Sequence, residues 1–199
     1  CIEVIGTVPE ALNGAFLRIG ANPVFVNDPE SYHPFAGDGM IHEVVFEQGK
    51  VWYRNRFVET DGHLAEQEVG GLIWDGINTK PEDVEKYGPS KNIANTAMIF
   101  HGGKFLALQE GARPFELKLP ELDPIGEVDF DGRLKHAFSA HPKIDPRTGE
   151  LISYGYSVTD APYCAVSLIN REGELVHTTD VEIPKPVMMH DCAITENYT

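Results

Sequence analysis

Four glycine-closed turns set the frame within which this chain can fold. The run "HEVVFEQGKVWYRNRF" turns back at Gln48-Gly49, and "TAMIFHGGKFLALQE" at Gly102-Gly103. "AHPKIDPRTGELISYGYSV" turns through residues 145–149, and "CAVSLINREGELVHTTDVEI" turns at Glu172-Gly173. Each turn separates two short runs rich in β-branched and aromatic residues, and its glycine supplies the positive φ that hairpins need. Alternation is clean after the third turn: Ile152, Tyr154, Tyr156 and Val158 share one face, and Leu151, Ser153, Gly155 and Ser157 the other. The turns at Gly49, Gly103 and Gly149 stand 54 and 46 residues apart. One such interval holds strands at 95–101, 104–109, 114–119 and 125–130. A four-stranded unit recurring every 40–50 residues or so is the pattern of a β-propeller blade, whereas a sandwich gives no reason for a period. The expected fold class is all-β, part of a propeller, with few short helices. Residues 61–94 are polar and carry Gly and Pro, and they read as a long loop with a short helix at Pro81–Tyr87. No linker divides the chain, so 1–199 reads as a single partial domain, incomplete at both ends.

The repeat gives two histidines a common address. His141 lies eight residues before Gly149, the offset that Asn95 has from Gly103, and His190 follows His141 by 49 residues. If the blades are equivalent, both histidines sit on first strands, which line a propeller's axis. Imidazole suits Fe, Zn, Cu and Ni, and a strand holds a nitrogen more rigidly than a loop. Two ligands do not complete a stable site. The competing explanation is that each histidine is a satisfied polar residue in an apolar strand.

The charge balance excludes several classes of partner. There are 16 Lys and Arg against 31 Asp and Glu, a formal net charge of −15. Such a field repels phosphate backbones and anionic headgroups, so nucleic acid is not an expected partner. No run of about 18 apolar residues is present to span a bilayer. Cys1, Cys164 and Cys192 are odd in number and widely spaced, without a C-x-x-C, which fits a reducing compartment and a cytoplasmic location.

At the two histidines and elsewhere, the chain resembles the carotenoid cleavage oxygenase family, non-haem iron enzymes on a seven-bladed propeller. "GAFLRIGANP" (14–23) and "FAGDGMIHEVVF" (35–46) are similar to family motifs, with Ala21 where Pro is usual and Ala36 where the first Asp stands. "NTAMIFHGGKFLALQEGARPFEL" (95–117), "FDGRLKHAFSAHPKIDPRTGE" (130–150) and "PVMMHDCAITENY" (186–198) resemble it closely, and the last two are specific. The resemblance runs essentially from end to end but covers less than half of a typical member, roughly three to four blades. It implies Fe(II) bound by four histidines, of which His141 and His190 match two and the others lie beyond this chain. It also implies that Glu110, in the LAL-x-E-G motif, hydrogen-bonds an iron-bound histidine from the missing half. Neutral imidazoles leave the metal's charge intact, and carboxylates behind them orient the rings without occupying a coordination position. The implied reaction inserts O2 across a C=C bond to give two carbonyl products, with an apolar tunnel choosing the bond.

Other residues carry blander expectations. His42 matches a motif but reads as structural, and His33, His63, His101 and His177 read as solvated. His136 is expected on the strand face opposite His141, and Asp191 on the face opposite His190. Gly37-Asp38-Gly39 reads as a tight turn, with no following helix and no Lys to cradle a phosphate. Stilbene-cleaving relatives tend to carry Lys where this chain has Gln109, which favours a carotenoid or apocarotenoid over a stilbene. The short, acidic 61–94 segment, with "GGLIW" as its apolar patch, supports weak peripheral membrane contact at most. The alternatives are a stilbene-cleaving dioxygenase on the same scaffold and a propeller that binds or isomerises without oxygenation. The 199-residue piece alone is expected to be inactive.

Overall fold

The computed structural model describes every residue except 1, 2, 27, 31, 76, 77 and 80–82. Cys1 and the first two residues of the expected helix therefore lie outside the described residues. Three antiparallel sheets follow one another along the chain. The first runs in the order β1 (Gly14–Asn22), β2 (Asp38–Glu47), β3 (Lys50–Phe57). The second runs β6 (Ala97–His101), β7 (Lys104–Leu108), β8 (Phe115–Lys118), β9 (Asp123–Glu127). The third runs β10 (Lys143–Ile144), β11 (Leu151–Tyr156), β12 (Cys164–Ile169), β13 (Leu175–Asp180). Between the first two lie α1 (Asp61–Val69), a ribbon of β4 (Trp74–Asp75) with β5 (Asn78–Thr79), and α2 (Val84–Tyr87). The protein is thus mostly sheet with few helices, and the strands expected at 95–130 fall within three residues of β6–β9. Among the described residues, no helix is long and apolar enough to cross a membrane.

The turns form as their residues dictate. Gln48 and Gly49 take φ of 49° and 72°, and Gly102 and Gly103 take 55° and 78°. Two successive positive φ values match the right-handed twist of the flanking strands. The second sheet is apolar on both faces because it is covered on both. Leu106 and Leu108 join a core with Phe138, Leu151 and Ile169. Ala107, pointing the other way, joins Ile41, Phe115, Leu117 and Leu122. The period of two in β7 therefore reads as two different cores.

The segment 61–94 corrects the loop expectation. Thr60 caps α1 by accepting the His63 N–H at 3.2 Å, and Gly70 closes it with φ of 73°. No apolar stripe announced the helix because its buried residues are His63 and Glu66. Both enter a buried ionic cluster. Lys91 Nζ stands 2.7 Å from Glu66 Oε2 and 2.7 Å from Asp38 Oδ1, the latter an ion pair outside hydrogen-bond geometry. His63 Nδ1 lies 3.2 Å from Asp38 Oδ2, so His63 is buried rather than solvated. Asp38 and Gly39 are likewise the start of β2 and not a tight turn. Of the expected short helix, the described part is Val84–Tyr87. Thr60 is also buried and donates to the Asn92 carbonyl at 2.9 Å. Thr60→Ala is therefore expected to cost roughly 1–2 kcal/mol, read as a lower urea midpoint at unchanged slope.

Two further histidines sit differently from expectation. His101 is buried, with Nε2 2.9 Å from the Gly149 carbonyl, which ties the second sheet to the turn of the third. His136 lies in an irregular segment rather than on a strand, bonded to the Ala137 carbonyl and to Ser167 Oγ at 2.8 Å.

Candidate metal site

His141 stands two residues ahead of β10, and His190 lies after β13 in a segment without regular structure. Neither is on a strand, contrary to the blade-equivalence expectation, because side chains take the place of ladder partners. The His141 N–H donates to Ser139 Oγ at 2.9 Å. The Met189 carbonyl accepts from the Tyr154 hydroxyl at 2.9 Å. The segment 136–139 is pressed onto β11: a Cβ on Gly155 would fall 1.8 Å from the Ala137 carbonyl oxygen. Glycine is the residue that this approach permits.

The structure nevertheless brings the two imidazoles together. Their Nε2 atoms are 3.1 Å apart, with ring centroids 4.6 Å apart and planes inclined at 66°. Glu110 follows β7, and its Oε2 lies 3.0 Å from His190 Nδ1. The carboxylate keeps a proton on Nδ1, which leaves the Nε2 lone pair of His190 facing His141. The resemblance assigned Glu110 to a histidine of the missing half; the structure joins it to His190 instead. The other carboxylate oxygen, Oε1, accepts from the Tyr156 hydroxyl at 2.9 Å. Burial first, and then the bond to Glu110, push the Tyr156 phenol far above its ordinary range, so it remains a donor. Asp191 turns to Lys143 at 2.6 Å, and that ammonium holds its carboxyl below the usual range.

The donor set fits a metal. With metal–nitrogen bonds of about 2.0–2.1 Å, two ligands at right angles sit about 3 Å apart, as these two nitrogens do. An N–H···N hydrogen bond spans the same distance, so the pair holds either an ion or a shared proton. Among the described residues no group of three or more His, Cys, Asp or Glu converges on one metal position. The described residues therefore offer the imidazole nitrogens of His141 and His190 side by side and no third donor beside them. Both face a cavity of about 720 Å³ whose other walls include Ile19, Ala21, Phe35, Ala36 and Ile93, with Asn95, Thr96 and Gln109 as polar points.

Sequence reasoning did not assign Tyr154 or Tyr156 to the site. Their shared face was visible in the alternation, but what that face meets comes from residues 110 and 189, far away in the chain. His42 pairs with the Tyr53 hydroxyl at 2.6 Å, away from this cavity.

A mostly-β chain presenting paired imidazoles, a carboxylate behind one of them and an apolar cavity defines a class, and comparison with known proteins assigns the family. Residues 1–199 match the retinal pigment epithelial membrane protein family, and the chain belongs to it. It is 40% identical over 218 residues to carotenoid 9,10(9',10')-cleavage dioxygenase 1 of Arabidopsis thaliana, covering 99% of this chain and 40% of that protein. It superposes on lignostilbene dioxygenase from Pseudomonas brassicacearum with a TM-score of 0.81 at 32% identity, covering 98% of this chain and 41% of the other. Cobalt-substituted ACO of Synechocystis gives a TM-score of 0.77 at 32% identity, with 97% and 43% covered. The chain therefore spans about two fifths of the length of the relatives it matches.

Proposed function

We propose that the complete protein is an Fe(II) dioxygenase that cleaves a C=C bond of a carotenoid or apocarotenoid, giving one oxygen atom to each carbon and releasing two carbonyl products. The observation that carries this reading is the His141–His190 pair, with Glu110 behind His190, opening on an apolar cavity. It is supported by membership of a family that includes a carotenoid cleavage dioxygenase and by likeness to an enzyme solved with cobalt. In this reading the three sheets are blades of a seven-bladed propeller, and 1–199 is a partial domain of it. His141 and His190 hold half of the iron's histidines, and the other two lie outside this chain. Iron, when bound, supplies the binding and activation of dioxygen.

The chain's own residues do the rest. Glu110 accepts from His190 Nδ1 and so orients the ring with Nε2, the nitrogen a metal would take, toward His141. Ile19, Ala21, Phe35 and Ile93 give a polyene an apolar wall and exclude water from it. A cytoplasmic location, with at most weak peripheral membrane contact and no nucleic-acid partner, completes the proposal on the acidic balance and the cysteine pattern.

A second reading, cleavage of a stilbene on the same scaffold, is favoured by the likeness to a lignostilbene dioxygenase. Gln109 argues for the first: it lines the cavity beside Glu110 where a Lys would offer a charge to a phenol oxygen. A third reading is a relative that binds or isomerises without taking up oxygen. Iron content and aldehyde products, measured on the complete protein with apocarotenals and with resveratrol-like stilbenes, separate the three. Near-unit iron with aldehydes from apocarotenals is expected, and no product from the isolated 199-residue piece. Aldehydes from stilbenes alone move the assignment to the second reading. Iron without oxygen uptake on any conjugated alkene moves it to the third.

A further inference from the structure

We propose that Tyr154 and Tyr156 form a two-point clamp on β11 that positions His190, Tyr156 through the Glu110 carboxylate and Tyr154 through the Met189 carbonyl. The inference rests on reading His141 and His190 as metal ligands, and it assigns the job of aiming one of them to a neighbouring strand.

The geometry is that of two independent tethers. The Tyr156 hydroxyl donates to Glu110 Oε1 at 2.9 Å while Oε2 meets His190 Nδ1 at 3.0 Å. A carboxylate held at both oxygens cannot rotate, so its lone pair stays aimed at Nδ1 and the imidazole ring follows. The Tyr154 hydroxyl donates to the Met189 carbonyl at 2.9 Å, one peptide ahead of His190. One tether thus fixes the ring and the other the main chain. Residues two apart on a strand share a face and stand about 7 Å apart, a span that reaches both attachment points.

His190 needs this help. Its side chain is 60% exposed, and its segment has no strand pairing. Side chains on a held strand place a site more accurately than a loop does by itself. β11 is such a strand: it pairs with β10 and β12, and the Ser139 N–H donates to the Tyr154 carbonyl at 2.7 Å. Lys143–Asp191 at 2.6 Å and Arg147–Glu196 at 2.9 Å tie the same segment to the third sheet at exposed points, where ion pairs hold loosely. The two tyrosine bonds are part-buried and hold more firmly.

The test uses the complete protein, with iron(II) affinity measured anaerobically by chelator competition. Tyr156→Phe and Tyr154→Phe each keep the ring and remove one hydroxyl, and each is expected to weaken iron binding by about threefold to tenfold. Glu110→Gln is expected to weaken it by about 10–100-fold. On the Glu110→Gln background, Tyr156→Phe adds less than about twofold, whereas Tyr154→Phe keeps its full effect. Crystal structures of the metal-free Phe variants supply a reading that does not depend on iron. The Glu110 carboxylate is expected to turn in one and the 189–190 main chain to shift in the other. Unchanged affinity with both groups in place overturns the clamp, as does a Tyr156→Phe effect that survives undiminished without the Glu110 carboxylate. A wild-type protein that binds no iron sinks the dioxygenase reading, and the metal-free structures then still decide the clamp.

Discussion

Replacing His190 with alanine in the complete protein is expected to lower bound iron from about one per chain to a trace, and oxygenase activity by more than about a hundredfold. The magnitude follows from comparison. Losing a group that merely orients a ligand typically costs 10–100-fold in metal affinity or activity, so losing the ligand itself costs more. His141→Ala is expected to do the same, because its Nε2 stands 3.1 Å from that of His190 and faces the same position. The competing explanation gives a different number. If the rings meet only through an N–H···N bond, His190→Ala removes two hydrogen bonds, to His141 and to Glu110, each worth about 0.5–1.5 kcal/mol of stability, and metal content does not change. His177, exposed on β13 and bonded to Thr179 Oγ1 at 2.6 Å, is the control position, and His177→Ala should leave iron content at the wild-type level. Metal analysis of the purified variants, made before any assay of turnover, checks both outcomes.

The features legible in the sequence were those written in short range. The hairpins at 48–49 and 102–103 announce themselves because positive φ and alternation are properties of adjacent residues. The pairing of His141 with His190 was reached through a repeat, and it holds in space although neither residue is on a strand. Equivalent positions in a repeat predict the meeting, and side-chain bonds from Ser139 and Tyr154 bring it about by another route. What stayed hidden was written in long range. Glu110 and His190 are 80 residues apart, and nothing in either neighbourhood names the other. The helix α1 stayed hidden for a different reason. Its inner face carries His63 and Glu66, so the polar pattern that signals solvent here signals an ionic core. The loop expectation failed because burial of charge is specified by partners, Asp38 and Lys91, that lie 25 residues away on either side.

That ionic core carries the second large expectation. Lys91→Met is expected to destabilise the protein by about 3–5 kcal/mol, the cost of leaving a buried charge without its partner. Lys91 Nζ reaches both Asp38 and Glu66 at 2.7 Å, and all three side chains are at most 5% exposed. Methionine matches the length of the lysine stem, so packing is largely kept and the loss is electrostatic. Removing the carboxylates as well reverses the sign of the argument. The triple variant Lys91→Met, Asp38→Asn, Glu66→Gln is expected to recover most of the loss, since no uncompensated charge remains. Glu66 Oε1 also accepts the N–H groups of Ile73 and Trp74, at 3.0 and 3.3 Å, and a glutamine oxygen can keep those bonds. The cluster matters to the cavity as well. Ile93 and Asn95 line it, and both follow Lys91 within four residues. The Ile93 carbonyl accepts from the Gly39 N–H at 2.7 Å, next to Asp38. Loosening Lys91 therefore loosens one cavity wall, and Lys91→Met is expected to raise KM for an apolar substrate while iron content stays near one. Urea unfolding of the single and triple variants, with iron measured in each, separates a wall effect from a metal effect. A Lys91→Met protein as stable as wild type would mean that the two carboxylates find another cation or take up protons at little cost.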